Sequence, residues 1–332
     1  MRHFCSICGV LIRSSAAEND MGPPVEDLEW YQLIRTFYKG SPECTVEATG
    51  LGYLNSFNQP VVPVNFNEFY LQPDVVIDNF VPSFDAGLHN PTYLVHEACW
   101  RVLLDRILYG NPLTDLVAVA LAQLFWGACL YRQYSCVPRH DHGGSTEYWH
   151  AEGDPIEEMT QGGHGHCAVE PVGFFSIEDL RSCLGPEVPV EIPATSSIAS
   201  TRRLEHGSDK FTNLPTEVIH ILLTWLRSDD IQRLRLASRP VASISHPDLL
   251  PQFFWHGRFL PDFEMGFAMP IHTDGFHDWR SLYFRVKRGL KMHCSNRLRN
   301  RKRVWDFICN EEDWYQKLYT GSDDELDLCL FR

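Results

Sequence analysis

Two cysteines near the start of the chain have the spacing of metal ligands. Cys5 and Cys8 are separated by two residues and are followed directly by Gly9. This spacing can turn both thiol groups toward one metal ion, and a glycine just after the pair permits the tight turn that points backbone amides at the thiolates. Since a closed zinc site needs four ligands, the motif supplies half of one.

His96 and Cys99 can supply the other half. They lie three residues apart at the start of an apolar stretch, 100–108, that predicts a helix, so one helical face could present both. Cys5, Cys8, His96 and Cys99 together predict structural zinc, because four protein ligands leave no open position for water. Two alternatives stay open: Cys5 and Cys8 as a redox pair, although no thioredoxin-like unit surrounds them, and Cys99 as a simply buried residue.

A second collection of histidines and cysteines lies between residues 136 and 167. Its spacing is irregular and the segment is rich in glycine and polar residues, which favours a disordered or extended loop. A second metal site or a Cys–His nucleophile pair is the alternative. Nothing here predicts an oxyanion donor or an orienting carboxylate, so we expect no enzyme and no catalytic residues. The residues are Cys136, His140, His142, His150, His164, His166 and Cys167.

The composition narrows the classes of protein. The 332 residues carry a net charge of −14, which argues against general nucleic-acid binding, and 44% of them are apolar, enough for a substantial core. The most apolar run, 116–131, is shorter than the ~18–20 residues that cross a bilayer and predicts a buried helix. No secretory signal pattern opens the chain, and the eleven cysteines form no regular framework. We therefore expect reduced thiols, an intracellular location in cytoplasm or nucleus, and no membrane partner.

Residues 211–241 predict two helices and a turn. Pro215 suits the first position of a helix that is expected to run to about Leu226 or Arg227. Ser228 is expected to cap a second helix, in which Ile231, Leu234 and Leu236 are the apolar positions.

The first of these helices is too apolar for its length. Its apolar side chains cover roughly 200° of the helix, whereas a surface helix needs little more than ~100° to face its own core. The surplus predicts either the central helix of a large domain or a helix whose second face is covered by a partner. The apolar residues are Val218, Ile219, Ile221, Leu222, Leu223, Trp225 and Leu226.

Three motifs in this stretch resemble the F-box. They are Leu214-Pro215-x-Glu217-Val218-Ile219, the apolar run 222–226, and Asp230-Ile231 followed by 233–239. In that family a short three-helix module docks onto the Skp adaptor of a Skp–cullin–F-box ubiquitin ligase. One departure is Pro240, which stands near the position of a frequent aromatic residue and is expected to stop the second helix early. The contacts that the resemblance implies, some within the module and some with the adaptor, are Leu214, Pro215, Val218, Ile219, Leu222, Leu226, Ile231 and Leu234.

The resemblance extends in patches to a group of fungal F-box proteins. The Cys-x-x-Cys-Gly start and His96-Glu-Ala-Cys99-Trp100 resemble the N-terminal region of that group. After the F-box, the resemblance is carried by 263–267, 278–280 and 300–305.

These segments predict an α+β chain in four parts. Residues 1–183 form a mixed domain with the candidate zinc site, and short strands and loops are expected within 45–95. Residues 184–210, rich in proline and serine, predict a linker. An all-α F-box follows at 211–250, and residues 251–332 form an aromatic and basic, mostly helical segment.

The basic part of the last segment has two interpretations. Between Arg280 and Arg303 there are ten Lys or Arg residues and no Asp or Glu. A nucleic-acid or nuclear-localisation patch at 297–303 is one. We favour a basic helix that faces the chain's own acidic residues, such as 311–313 or 323–325, because acidic residues lie close by.

The resemblance implies a non-catalytic adaptor. The F-box would bind the Skp adaptor of a cullin ligase, while the rest of the chain would recruit an unknown protein substrate for ubiquitin transfer. The alternative is a zinc-stabilised structural or DNA-associated protein whose F-box-like helix pair does not join a ligase. The basic run favours this alternative, and the net charge of −14 argues against it.

Overall fold

The structure, a computed structural model, describes six stretches of the chain, and all structural statements below refer to them. Two compact units contain these stretches. The first unit is made of residues 1–173 and 296–332, and the second unit of residues 174–295. The described stretches are 3–14, 28–39, 46–68, 93–108, 154–185 and 209–319.

The strands are short and lie mostly in the first unit. Their bounds are β1 His3–Phe4, β2 Leu11–Ile12, β3 Ile34–Lys39, β4 Val46–Ala48, β5 Tyr53–Leu54, β6 Pro60–Val61, β7 Tyr93–His96, β8 Phe174–Ser176 and β9 Pro270–His272.

The helices dominate the second half of the chain. Together with the strands they confirm the predicted mixture of helix and strand, consistent with the α+β class. In the described stretches no helix combines the length and apolar content needed to cross a bilayer. The α-helices are α1 Glu97–Leu108, α2 Pro155–Met159, α3 Ile177–Cys183, α4 Thr216–Thr224, α5 Ser228–Ala237, α6 Arg239–Ile244, α7 Gln252–Gly257, α8 Trp279–Lys291 and α9 Asn296–Tyr319.

A three-stranded antiparallel sheet forms the centre of the first unit. Its order is β4-β3-β7, and Phe37 of β3 pairs with Ala48 on one side and Tyr93 on the other. Both faces of β3 are covered, since residues 34–37 are all buried. Trp100 of α1 packs on Phe37, with ring centroids 5.4 Å apart. The sheet therefore holds the start of α1 directly over the core.

A buried ion pair fixes the junction between β7 and α1. Arg35 Nε donates to Glu97 Oε2 at 2.5 Å, and both side chains are more than 90% buried. Arg35 Nη1 also donates to the carbonyl oxygens of Thr49 and Phe66, at 3.1 and 3.0 Å. The Glu97 amide donates to the Leu33 carbonyl at 2.9 Å. A buried charge is destabilising unless it is paired and hydrogen-bonded, so Arg35 and Glu97 constrain each other's position. Since Glu97 lies between His96 and Cys99 in the chain, the network also constrains residues 96–99.

The last helix, α9, belongs to the first unit. Arg301 is buried and donates from Nη2 to Asp105 of α1 at 2.8 Å and from Nη1 to the Pro171 carbonyl at 3.2 Å. Val304 and Trp305 are buried on the same helix. This division differs from the predicted one, which placed 251–332 in a single C-terminal segment and ended the N-terminal domain at residue 183.

The second unit contains the three consecutive helices α4, α5 and α6. Helix α4 ends at Thr224, two residues before the predicted end, and Ser228 is the first residue of α5 rather than its cap. Helix α5 ends at Ala237, before Pro240, and Pro240 lies in the first turn of α6. The Ser238 hydroxyl caps α6 by accepting a hydrogen bond from the Val241 amide at 3.3 Å. Since proline is favoured in a first helical turn, Pro240 is compatible with the start of this third helix.

Arg258 closes the C-terminal end of α4. It is 1% exposed, and it donates to the carbonyl oxygens of Leu226 and Leu223 at 2.6 and 2.7 Å. The last carbonyl groups of a helix have no intrahelical donor, so the guanidinium of Arg258 supplies the hydrogen-bond donors that the backbone lacks there. Glu264 lies 3.9 Å from Arg258 Nη1 and accepts hydrogen bonds from Ser228 and Tyr283. Residues after 250 are therefore part of the support of α4.

Replacing Arg258 with methionine is expected to loosen α4. Two carbonyl groups lose a charged donor, and Glu264 loses its nearest cation, so we expect a loss of about 3 kcal/mol from the free energy of unfolding of the second unit. Hydrogen exchange of α4 peptides in increasing urea measures this change. The control is Arg233→Met, whose side chain is 81% exposed and faces Asp230 at 3.5 Å; it should cost less than about 0.5 kcal/mol. Equal effects of the two substitutions would contradict the capping role.

Other predictions meet the structure only in part. The described part of 45–95 contains strands and turns, as predicted. Residues 155–168 are helical, which corrects the predicted loop for that part of the second His/Cys collection. Residues 109–150, with the apolar run 116–131, and residues 186–208 of the predicted linker lie outside the described stretches.

Candidate metal centre and docking surface

The Cys5–Cys8 motif forms the turn of the β1–β2 hairpin. The Cys5 amide donates to the Val10 carbonyl, and the Gly9 amide donates to the Cys5 carbonyl, each at 2.9 Å. Gly9 has a φ of 70°, in the left-handed region that a glycine adopts without strain. The Ser6 amide donates to Leu94 of β7 at 2.8 Å, which ties this turn to the strand that carries His96.

His96 and Cys99 come from two different elements. His96 is the last residue of β7, and Cys99 lies in the first turn of α1. The expectation that one helical face presents both is therefore wrong: a strand-to-helix junction brings them together. The ion pair between Arg35 and Glu97 holds that junction.

The four predicted ligands form one buried cluster. Their ligand atoms lie within 4.8 Å of one another, and each residue is 0% exposed. Cys8 Sγ is 3.3 Å from His96 Nδ1, and the His96 backbone amide donates to Cys5 Sγ at 3.3 Å. Three sulfurs and one imidazole nitrogen are a donor set that suits zinc. Bonds of about 2.0–2.3 Å to one ion would need only a small contraction of the cluster.

The electrostatics of the cluster favour a negative charge on Cys5 beside a protonated His96. For Cys5, burial works to raise the pKa, but hydrogen bonds with Cys8 and Cys99 and the charge of His96 hold it well below its ordinary value. For His96, burial works to lower the pKa, but the negative charges of Cys5 and Cys8 raise it to about 10. Burial, together with Cys5 and Cys8, raises the pKa of Cys99 well above its ordinary value. The Cys5 thiolate is thus stabilised in the cluster, whereas His96 and Cys99 would each have to lose a proton when a metal ion binds.

The surroundings of His96 are aromatic on one side. The ring of Trp30 meets the imidazole edge to face, with centroids 4.9 Å apart, and Trp30 Nε1 donates to the Ala168 carbonyl at 3.1 Å. His96 Nε2 is buried and has no hydrogen-bond partner among the described residues. Since Nδ1 faces Cys8, it is the nitrogen placed to act as a ligand, and Nε2 would carry the proton.

The second His/Cys collection does not form another such group in the described residues. His166 Nε2 is 3.5 Å from Cys167 Sγ, and the rings of His164 and His166 are 6.2 Å apart. Across the described stretches, Cys5, Cys8, His96 and Cys99 are the group whose ligand atoms converge. Cys136, His140, His142 and His150 lie outside those stretches.

Helix α4 carries a continuous exposed apolar face. Only Ile219 and Leu223 of this helix are buried, and they pack it into the second unit. The other large apolar side chains of this helix, with Leu214 just before it and Trp225 just after it, are between 37% and 79% exposed. We call them the α4 face: Leu214, Val218, Ile221, Leu222 and Trp225.

The predicted contacts divide between this face and the core. Leu214, Pro215, Val218 and Leu222 are exposed, Leu226 and Leu234 are half-buried, and Ile219 and Ile231 are buried. Three exposed large apolar residues within 214–237 were not among the predicted contacts: Ile221, Trp225 and Leu236, the last 91% exposed. Leu236, one of the apolar positions of the predicted second helix, is thus exposed to solvent. The dense apolar pattern of 218–226 signals a surplus, but only the packing of α4 shows which residues form it.

The basic run is used largely inside each unit. Arg297 donates to the carbonyl groups of Val172 and Gly173, and Arg301 bonds to Pro171 and Asp105. Arg303 donates to the Cys8 carbonyl. Guanidinium groups held in this way hold the first unit together, so they are poorly placed to form a free basic patch.

Comparisons with known proteins add no family to these observations. No family model, no curated protein and no solved structure matches the chain.

Proposed function

We propose that the chain is a non-catalytic adaptor that docks onto the Skp adaptor of a Skp–cullin–F-box ubiquitin ligase through the α4 face. The observation that carries the proposal is the exposure of five large apolar side chains on a short helix and the residues at its two ends. Exposed apolar residues that lie singly need no explanation, but a contiguous group containing a tryptophan is typical of a binding site for another protein.

The motifs and the helix order support the Skp adaptor as the occupant. The Leu-Pro-x-Glu start leads into α4, and the motif residues 230–239 lie on α5 and at the start of α6. Three consecutive helices are what the resemblance to the F-box implies for this stretch. The chain would then act by holding a substrate protein near the ligase, which raises its effective concentration without a chemical step of its own.

A direct binding measurement tests the proposal. The full chain is titrated with purified Skp adaptor in a calorimeter, and the mixture is passed over a size-exclusion column. We expect a 1:1 complex with a Kd of about 1 μM or tighter, as for a specific interface built on a few apolar anchors. No complex at tens of micromolar would reject the adaptor function and favour the alternative of a structural or DNA-associated protein.

A second proposal concerns the first unit: Cys5, Cys8, His96 and Cys99 hold a structural zinc ion. Its support is the convergence of four buried ligand atoms from the β1–β2 turn, β7 and α1. A bound ion would link these three elements, and with four protein ligands it would perform no chemistry. Elemental analysis of the purified full chain should find one zinc per chain. A chain purified in zinc-containing medium without stoichiometric metal would reject this proposal and leave the adaptor function untouched.

A further inference from the structure

We propose that Arg303 of α9 is a positioning residue of the metal centre, and that metal binding and the packing of α9 on the first unit stabilise each other. The inference rests on the proposed metal centre. It connects two parts of the chain that are almost three hundred residues apart in sequence.

The contact is direct and well oriented. Arg303 Nη1 donates to the carbonyl oxygen of Cys8 at 2.7 Å, within the turn that carries two of the four ligands. Its Nε and Nη2 atoms donate to Asn300 Oδ1 at 3.0 and 2.8 Å. Asn300 in turn is buried and donates to the Cys167 carbonyl at 3.4 Å. The Arg303 guanidinium thus bonds to its own helix through Nε and Nη2, and to the turn that carries Cys5 and Cys8 through Nη1.

The charge of Arg303 complements the charge of the site. Three thiolates and a neutral imidazole around a divalent ion carry a net charge of about −1. Such a charge is costly in a buried cluster unless a cation lies nearby. An arginine guanidinium stays protonated, and its planar set of N–H donors can bond a backbone carbonyl and a side-chain amide oxygen at the same time. The residue therefore fixes the position of the Cys8 carbonyl, and its positive charge is opposite in sign to the charge of a zinc-loaded site.

Coupling of this kind is reciprocal. If the packing of α9 raises the affinity for metal, then metal must raise the stability of the packed helix by the same factor. The other α9 contacts of the first unit, such as Arg301 with Asp105, are not made with the ligand turn and should respond less. Protection of residues 296–310 is therefore expected to depend on metal.

The test uses the full chain with Arg303→Gln. Zinc affinity is measured by competition with a chromophoric chelator, and hydrogen exchange of peptides covering 296–310 is measured with zinc and after chelation. We expect a 10–100-fold weaker zinc affinity, the usual effect of removing a residue that orients metal ligands. We also expect that in the wild-type chain chelation speeds exchange in 296–310, and that in the variant it changes exchange much less.

Two further variants separate positioning from general damage. Lys302→Gln is the matched control, because Lys302 directly precedes Arg303 on α9 and pairs with Asp306 on the surface. The zinc affinity of this variant should equal that of the wild type. Arg303→Lys keeps the charge but not the fork, so it should restore part of the affinity, even if Arg303→Gln folds poorly. Cobalt substitution should give the same number of thiolate ligands in all folded variants.

Each outcome decides the inference. The inference is overturned, while the metal centre stands, if the wild type and both Arg303 variants bind zinc with equal affinity. It is also overturned if chelation leaves hydrogen exchange in 296–310 of the wild type unchanged. Equal losses in Lys302→Gln and Arg303→Gln also overturn it. A wild-type chain that binds no zinc overturns the proposed metal centre and, with it, this inference.

Discussion

Cys5→Ser is expected to release the metal and to destabilise the first unit strongly. The substitution removes one of four ligands and places a hydroxyl at a position that is 0% exposed. Structural zinc contributes about 10–16 kcal/mol of binding free energy in small zinc-binding domains, so loss of even a fraction is a large effect. We expect less than one zinc per chain and a drop of about 10 °C in the Tm of the first unit, which corresponds to about 3 kcal/mol or more.

Cys167→Ser is the matched control for this prediction. Cys167 is also a fully buried thiol of the first unit, but it lies outside the convergent group. This variant carries the cost of a buried hydroxyl yet should retain one zinc per chain. Elemental analysis and thermal unfolding of both variants, before and after chelation, separate the two effects. An unchanged Tm in Cys5→Ser, or equal zinc content in both variants, would contradict a structural role for the cluster.

The four residues of the candidate metal centre could be found from the sequence because each pair of them is local. Two cysteines with two residues between them, and a histidine three residues before a cysteine, are patterns that a short segment fixes by itself. The structure brings these four residues together. The pattern could not show which secondary-structure elements carry His96 and Cys99. The interpretation as one helical face was wrong because β7 ends at His96 and α1 begins at Glu97.

Long-range packing lies beyond this kind of pattern. Helix α9 was placed with the rest of the C-terminal segment, because nothing in residues 296–319 marks them as a partner of α1. The bond from Arg301 to Asp105 joins residues 196 positions apart, and that from Arg303 to Cys8 joins residues 295 apart. Composition identified the basic run correctly but not the contacts that its arginines make. The sequence alone does not distinguish an arginine that bonds buried carbonyl groups from one that is exposed to solvent.

The surplus of apolar residues on α4 was also visible in the sequence, but its meaning was divided between a core helix and a partner surface. In the structure, Ile219 and Leu223 are enough to pack α4, and Arg258 fixes its end. The α4 face is left exposed on a helix whose position is well supported. The use of that face for the Skp adaptor stays a prediction, and one residue on it offers a decisive test.

Leu222→Asp is expected to abolish binding of the Skp adaptor while leaving the second unit folded. Leu222 is 42% exposed, on the same helix as the buried Ile219 and Leu223 but outside their packing. In a complex, the substitution removes apolar contact and forces a carboxylate out of water without a partner, which together cost several kcal/mol. A loss of about 3 kcal/mol lowers affinity by more than 100-fold. Calorimetry with the full-length variant measures it, and circular dichroism and thermal unfolding check the fold.

Ile271→Asp controls for the introduction of a charge at an exposed apolar position. Ile271 lies on β9 in the same unit, is 64% exposed and is not part of the α4 face. It should bind the adaptor with the affinity of the wild type. Equal loss in both variants would mean that binding follows general surface apolarity rather than the α4 face. Full binding by Leu222→Asp would move the interface away from α4, and the five exposed side chains would then need another occupant.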